Sequence, residues 1–215
     1  MDYCSKWSLR ELLLSVGRGE RYLERLRQDI CWIYDFSPAS AFNRLDREGA
    51  GLVGAKEIRE FLADNHSAHC ATPHEVNLLV QFYDLNGDGL LSPEEFNSMI
   101  MPCENDDLKQ RAINRQPVEL KDDKARLPCS HERSLINILI EEIRLLRDVN
   151  SRKKYLHAGK DYSDEAAWWS LIDHDNSEED AKIDRDVIRK FVRGGHCHCI
   201  CESEVAAIQR RIALS

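Results

Sequence analysis

The chain has 215 residues, of which 42% are hydrophobic and 32% are charged, and this balance excludes the composition of an intrinsically disordered chain. Its 30 Lys and Arg residues against 38 Asp and Glu residues give a formal charge of −8, which argues against broad binding to the phosphate backbone of nucleic acids. Apolar runs such as Leu12–Leu14 and Ile138–Ile140 are far shorter than the roughly 18 residues of a membrane span, so no membrane partner is expected either.

The N-terminal residues Met1–Cys4 do not begin a basic segment followed by an apolar stretch, so no secretory signal is expected. The expected location is therefore the cytoplasm. In that compartment the eight cysteines are expected to be reduced thiols rather than a disulfide framework.

An internal repeat organises the chain. The segment Ser8–Leu14 matches Ser134–Ile140, and further matches follow at a similar offset. The repeat predicts two lobes of similar architecture, over residues 8–102 and 130–215. The charged segment 103–129 between them, which several prolines punctuate, is predicted to be a linker.

Helix signals dominate both lobes. N-cap signals, a small polar residue with an acid three positions on, occur at Ser8, Thr72 and Ser92. Apolar stripes of helical period are formed by Leu23, Leu26, Ile30 and Ile33, and again by Ile136, Leu139, Ile143 and Leu146. Gly17 and Gly19 are expected to interrupt the first helix, and Leu108–Arg115 is expected to form a short helix within the linker. The fold class is predicted to be all-α.

The segment 84–95 matches the twelve-residue calcium loop pattern, in which oxygen ligands recur at fixed positions. The predicted metal ligands are Asp84, Asn86, Asp88, the backbone carbonyl of Leu90, and both carboxylate oxygens of Glu95. Gly89 supplies the sharp reversal that folds such a loop around the ion. Ser92 is expected to act directly or through water, and Leu91 to pair with the backbone of a partner loop. The predicted cofactor is Ca²⁺.

A degenerate partner loop lies upstream, at residues 46–57. Ala50 and Gly54 stand at ligand positions but carry no side-chain oxygen. The remaining donors give roughly five oxygens, whereas Ca²⁺ takes about 6–8. We therefore expect weak binding or none, and a structural role in which Val53 pairs with Leu91.

The second lobe contains a third loop that departs further from the pattern, at residues 173–187. Glu178 replaces the glycine of the reversal, and Val187 stands where the closing carboxylate belongs. No intact ion site is expected there. A fourth loop would begin near the end of the chain, and only its entering helix, roughly Ser203–Ala213, is predicted.

These loops resemble those of the EF-hand superfamily, of the calmodulin and centrin type; in two of them an aromatic residue, Phe42 or Trp169, stands four positions before the first Asp. The resemblance implies two tandem lobes of EF-hand type, the second incomplete, and binding of Ca²⁺ by the one intact loop. Two further features are similar to EF-hand proteins of protist cilia and flagella. They are Asp-aromatic-Ser before an entering helix, at 35–37 and 161–163, and Met101-Pro102 after the second loop.

The sequence favours a non-enzymatic calcium-binding adaptor or structural subunit. Its partner is expected to be a protein, either a helix or a cytoskeletal or ciliary axonemal assembly. A soluble Ca²⁺ buffer remains an alternative, and so does a zinc- or redox-responsive module built on the dense cluster His196–Cys201. No enzyme is expected, because the chain has no phosphate-cradling glycine loop and nothing places a Cys and a His to activate each other.

Overall fold

The computed structural model describes the backbone of residues 3–117, 126–157, 185–194 and 200–214. These residues are predominantly helical, which confirms the predicted fold class at that level. The α-helices are α1 (Tyr3–Trp32), α2 (Pro38–Leu45), α3 (Ala55–Asp64), α4 (Pro73–Tyr83), α5 (Pro93–Ile100), α6 (Asp106–Ile113), α7 (Cys129–His157), α8 (Arg185–Arg193) and α9 (Glu202–Leu214). A short 3₁₀ turn spans Ala68–Cys70, and β-pairing within the described ranges is limited to one isolated bridge.

Two helices begin where the sequence predicts, and for the predicted reason. At the start of α4 the Thr72 hydroxyl accepts a hydrogen bond from the backbone N–H of Glu75, and the Glu75 carboxylate accepts one from the backbone N–H of Thr72. Ser92 and Glu95 form the same reciprocal pair at the start of α5. Each pair satisfies two backbone donors that have no partner within the helix.

Helix α1 corrects two expectations. Ser8 does not cap a helix, since α1 already includes the residues before it, and Gly17 and Gly19 do not interrupt the 30-residue helix. Gly17 is instead buried against α9. A Cβ atom at Gly17 would lie 3.2 Å from the Cβ of Glu204 and 3.2 Å from Cδ1 of Ile208. The glycine therefore permits a close approach of two helices, a role that depends on a distant partner and leaves no local signal.

The chain divides into two compact units, and these do not coincide with the lobes expected at 8–102 and 130–215. One unit comprises Tyr22–Leu146, and the other combines Met1–Arg21 with Arg147–Ser215. The physical reason is that α1 and α7 each carry apolar residues for two separate cores.

Helix α7 gives most of its apolar side chains to the core of unit 22–146, and α6 contributes as well. Leu135, Ile138 and Ile143 of α7 lie in this core. Leu108 and Ala112 of α6 are buried in the same cluster, although their helix lies within the predicted linker. The part of that segment from 106 to 113 is therefore a packed element of the unit.

The other unit has its own core. Leu9, Leu13 and Val16 of α1 pack in one cluster with α8 and α9. A buried ion pair between Arg211 of α9 and Glu20 of α1 joins the same two helices that meet at Gly17. Helix α9 spans Glu202–Leu214 and so covers the range, roughly Ser203–Ala213, that was predicted to be helical.

Substitution of Gly17 tests the helix contact. We expect Gly17→Val to lower the free energy of unfolding by about 1–3 kcal/mol, because the added methyl groups must displace Glu204 or Ile208. Chemical denaturation monitored by circular dichroism measures the change. Arg18→Ala, at an exposed position of the same helix, is the control and should stay within about 0.5 kcal/mol of the wild type. Equal stability of Gly17→Val and wild type would contradict the contact.

Candidate metal site

The loop between α4 and α5 closes around the carboxylate of Asp84. Gly87 and Gly89 have φ values of +78° and +81°, which favour glycine and reverse the chain. Asp84 accepts hydrogen bonds from the backbone N–H groups of Gly87 at 2.7 Å, Asp88 at 3.2 Å and Gly89 at 2.7 Å. Its side chain therefore faces the interior of the loop.

The carboxylate of Glu95 closes the same loop from its other end. One oxygen accepts the backbone N–H of Leu85 at 2.8 Å, and the other accepts the backbone N–H of Ser92 at 2.8 Å. The bond from Ser92 is the largest influence on the pKa of Glu95; burial opposes it, and the net result is a lowered pKa. Glu95 is buried and remains a carboxylate at neutral pH.

The carboxylates of Asp84 and Glu95 both have lowered pKa values. Partial desolvation raises the pKa of Asp84, but the N–H groups of Gly89, Gly87, Asp88 and Asn86 together lower it below its usual value. The backbone N–H of Asn86 also lowers the pKa of Glu95. Because Glu95 accepts the N–H of Leu85, the residue directly after Asp84, the last predicted ligand is tied to the chain beside the first.

The middle ligands are occupied by local hydrogen bonds. Asn86 Oδ1 accepts the N–H of Asp88 at 2.9 Å, and Asp88 Oδ1 accepts the N–H of Leu90 at 2.8 Å. Within the described parts of the chain, no three His, Cys, Asp or Glu side chains form a group that could hold a metal ion. Asp84, Asp88 and Glu95 therefore do not form a ready-made group of three carboxylates.

The upstream loop, 46–57, has a similar backbone arrangement. Asp46 accepts the N–H groups of Ala50 at 2.8 Å and Gly51 at 2.7 Å, and Glu57 accepts the N–H of Gly54 at 2.9 Å. The two loops are therefore alike in how their first and last acids are held.

The expected pairing between the loops is confirmed. The backbone N–H of Val53 donates to Leu91 O at 3.0 Å, and the N–H of Leu91 donates to Val53 O at 2.8 Å. Both side chains are fully buried.

Lys56 distinguishes the upstream loop, and sequence reasoning missed it. Its ammonium nitrogen lies 3.1 Å from Glu48 Oε1 and 3.7 Å from Glu57 Oε1, two of the acids that remain in the loop. The hydrogen bond to Glu48 raises the pKa of Lys56, so the positive charge persists at neutral pH. The residue next to the closing glutamate of the downstream loop is Glu94, of opposite charge. This charge reversal was visible in the sequence.

The remaining candidates lie largely outside the described residues. In the third loop, 173–187, the residues 173–184 lie outside the described residues. Val187 is the third residue of α8 and packs, partly buried, against the core of its unit. Of the cluster His196–Cys201, the residues 196–199 lie outside the described set. Cys201 is exposed, with its sulfur 3.0 Å from the hydroxyl oxygen of Ser203.

Comparison with protein-family models, with curated proteins and with solved structures found no match. Among the described helices, none is both long and apolar enough to cross a lipid bilayer.

The lowered pKa of Glu95 predicts a pH dependence of stability. Because the folded pKa lies below the ordinary glutamate value of about 4.3, Glu95 stabilises the folded chain above that pH, and this contribution is lost as pH falls through the folded pKa. Unfolding should be measured between pH 7 and pH 3 in the presence of a calcium chelator. The stability difference between wild type and Glu95→Gln should shrink as the pH falls, whereas a constant difference would contradict the assignment.

Proposed function

We propose that the chain is a non-enzymatic EF-hand protein that binds one Ca²⁺ ion in the loop 84–95. The observation that carries this proposal is how the loop is closed: Asp84 accepts backbone N–H groups from within the loop, and Glu95 accepts the N–H of Leu85, the residue that directly follows Asp84. The first and last acids of a calcium loop must face one interior, and the hydrogen bonds of these two carboxylates support that arrangement. The Val53–Leu91 backbone pair supports the further proposal that 46–57 and 84–95 are paired hands.

The donor set fits a hard cation. Ca²⁺ takes oxygen ligands, and every predicted donor of the loop is a carboxylate, amide or carbonyl oxygen. The ligands would be Asp84, Asn86, Asp88, the Leu90 carbonyl and Glu95. Ca²⁺ supplies a double positive charge there when it is bound. The protein contributes two carboxylates already held inward by backbone N–H groups, with pKa values low enough to remain ionised.

The upstream loop is proposed not to share this activity. The ammonium of Lys56 lies beside Glu48 and Glu57, so any cation that enters must compete with a tethered positive charge. Together with the missing oxygens at Ala50 and Gly54, this favours one filled site per hand pair.

The role of a partner-binding adaptor or structural subunit is supported by two surfaces. The apolar side of the helix–loop–helix pair is covered by α7 within its own unit, which favours a structural subunit over a promiscuous sensor. Trp32 and Tyr34, by contrast, are 63% and 91% exposed at the end of α1. Large exposed aromatic side chains are typical of protein interfaces. A cytoskeletal or ciliary axonemal partner, and a corresponding location, follow from the resemblance described above.

Calorimetric titration with Ca²⁺ tests the metal site. We expect one site per chain in the wild type, no measurable binding in Glu95→Gln, and near wild-type binding in Glu57→Gln. The two variants are matched, since each glutamate is the last acid of its loop and accepts a backbone N–H three residues upstream. Two equal sites, or loss of binding in Glu57→Gln instead, would overturn the assignment.

Capture experiments test the adaptor role. The immobilised full chain should retain a specific protein from extracts of the source cells, and the double variant Trp32→Ala, Tyr34→Ala should lose it with unchanged Ca²⁺ binding. Trp7→Ala removes another exposed aromatic side chain and should retain the protein. Equal capture by the wild type and both variants would refute the proposed surface.

A further inference from the structure

A buried polar cluster joins four helices of the unit 22–146. Arg27 of α1 donates through Nε to the backbone carbonyl of Met99 in α5 at 2.9 Å, and through Nη2 to the Tyr83 hydroxyl of α4 at 3.2 Å. The same nitrogen forms an ion pair with Glu142 of α7. The Tyr83 hydroxyl donates to Glu142 Oε1 at 2.7 Å, which closes the cluster.

The cluster is inaccessible to water. The side chains of Arg27 and Glu142 are 3% and 0% exposed, and Tyr83 is buried as well. Removing one partner of a buried ion pair is strongly destabilising, because the remaining charge then has neither its partner nor water to compensate it. The four groups therefore act as a unit that resists separation of their helices.

Its position relates the cluster to the calcium loop. Tyr83 is the last residue of α4 and directly precedes Asp84, the first predicted ligand. Met99 lies near the end of α5, which begins at the far end of the loop. A single guanidinium thus bridges the two helices that flank 84–95, and Glu142 links that bridge to the covering helix α7.

A second buried ion pair holds α7 elsewhere and is not part of this bridge. Arg44 Nε of α2 lies 2.8 Å from Glu132 Oε1, and Arg44 Nη2 lies 3.1 Å from Asp64 Oδ2 of α3. These helices flank the degenerate loop 46–57. The ion pairs Arg27–Glu142 and Arg44–Glu132 are therefore similarly buried. The first contacts the helices that flank the loop 84–95, whereas the second contacts the helices that flank the loop 46–57.

We propose that the Arg27–Tyr83–Glu142 cluster is a latch that opposes opening of the 84–95 hand and so lowers its affinity for Ca²⁺. This inference rests on the proposed calcium site. In sensor hands, ion binding turns the two flanking helices apart and exposes their apolar side. That motion moves Met99 away from Tyr83, so Arg27 then loses its hydrogen bond to one of these two residues. Binding and latch closure are thereby coupled, and each weakens the other by the same factor.

Two single variants test the latch in the full chain, by calorimetry with Ca²⁺. Tyr83→Phe removes the hydroxyl that links α4 to the cluster, and Glu142→Gln removes the charge that holds Arg27. Each is expected to tighten Ca²⁺ binding by about threefold to tenfold, the range that one buried hydrogen bond supplies. Binding of an anilinonaphthalene sulfonate dye in the presence of Ca²⁺ should rise in the same variants.

Glu132→Gln is the matched control. It weakens the other buried ion pair of α7 without touching Tyr83 or Met99, so it should lower stability while leaving the Ca²⁺ affinity within twofold of wild type. If Glu142→Gln does not fold, the double variant Arg27→Met, Glu142→Leu replaces the ion pair with apolar groups and should likewise tighten binding.

The outcomes separate the two proposals. A wild-type chain that binds no Ca²⁺ refutes the calcium site, and the latch with it. Wild-type binding with unchanged affinity in Tyr83→Phe and Glu142→Gln refutes the latch alone. An equal gain of affinity in Glu132→Gln would also overturn it, since loosening of α7 in general would then be the cause.

Discussion

The backbone pair between Val53 and Leu91 is the constraint on which both loops depend. Its two hydrogen bonds, 3.0 Å and 2.8 Å long, hold the loops side by side, and both side chains are buried in the core of the unit. With their middles fixed in this way, the two loops have similar backbones, each closed on its first acid by N–H groups. Their difference in proposed function therefore comes from side chains alone.

That difference is one of charge placement. In one loop Lys56 lies beside two carboxylates, whereas in the other Glu94 stands at the same position. One member of the pair is then proposed to hold the ion, while the other supplies structural support. A pair of this kind suits a subunit with a single response to Ca²⁺ better than a multi-site sensor.

Local features of the sequence were predictable, and so was the pairing of Val53 with Leu91, which the loop pattern implies; other long-range contacts were not. The capping pairs at Thr72 and Ser92 depend on residues three positions apart, so the sequence alone indicated them correctly. Gly17 was misinterpreted as a helix breaker because its partner, α9, is distant in the chain. The pairing of Arg27 with Glu142 had no signal either, since a charged residue on a helix usually faces solvent.

The most direct test of the calcium site is a Ca²⁺ titration followed by the backbone amide resonances of the loop glycines. Gly87 and Gly89 both donate to Asp84, so their signals should shift and saturate at one ion per chain. Gly49 and Gly51, with similar positive φ values in the upstream loop, should move far less and serve as the internal reference. Equal shifts in both loops, or none at Gly87 and Gly89, would contradict the account.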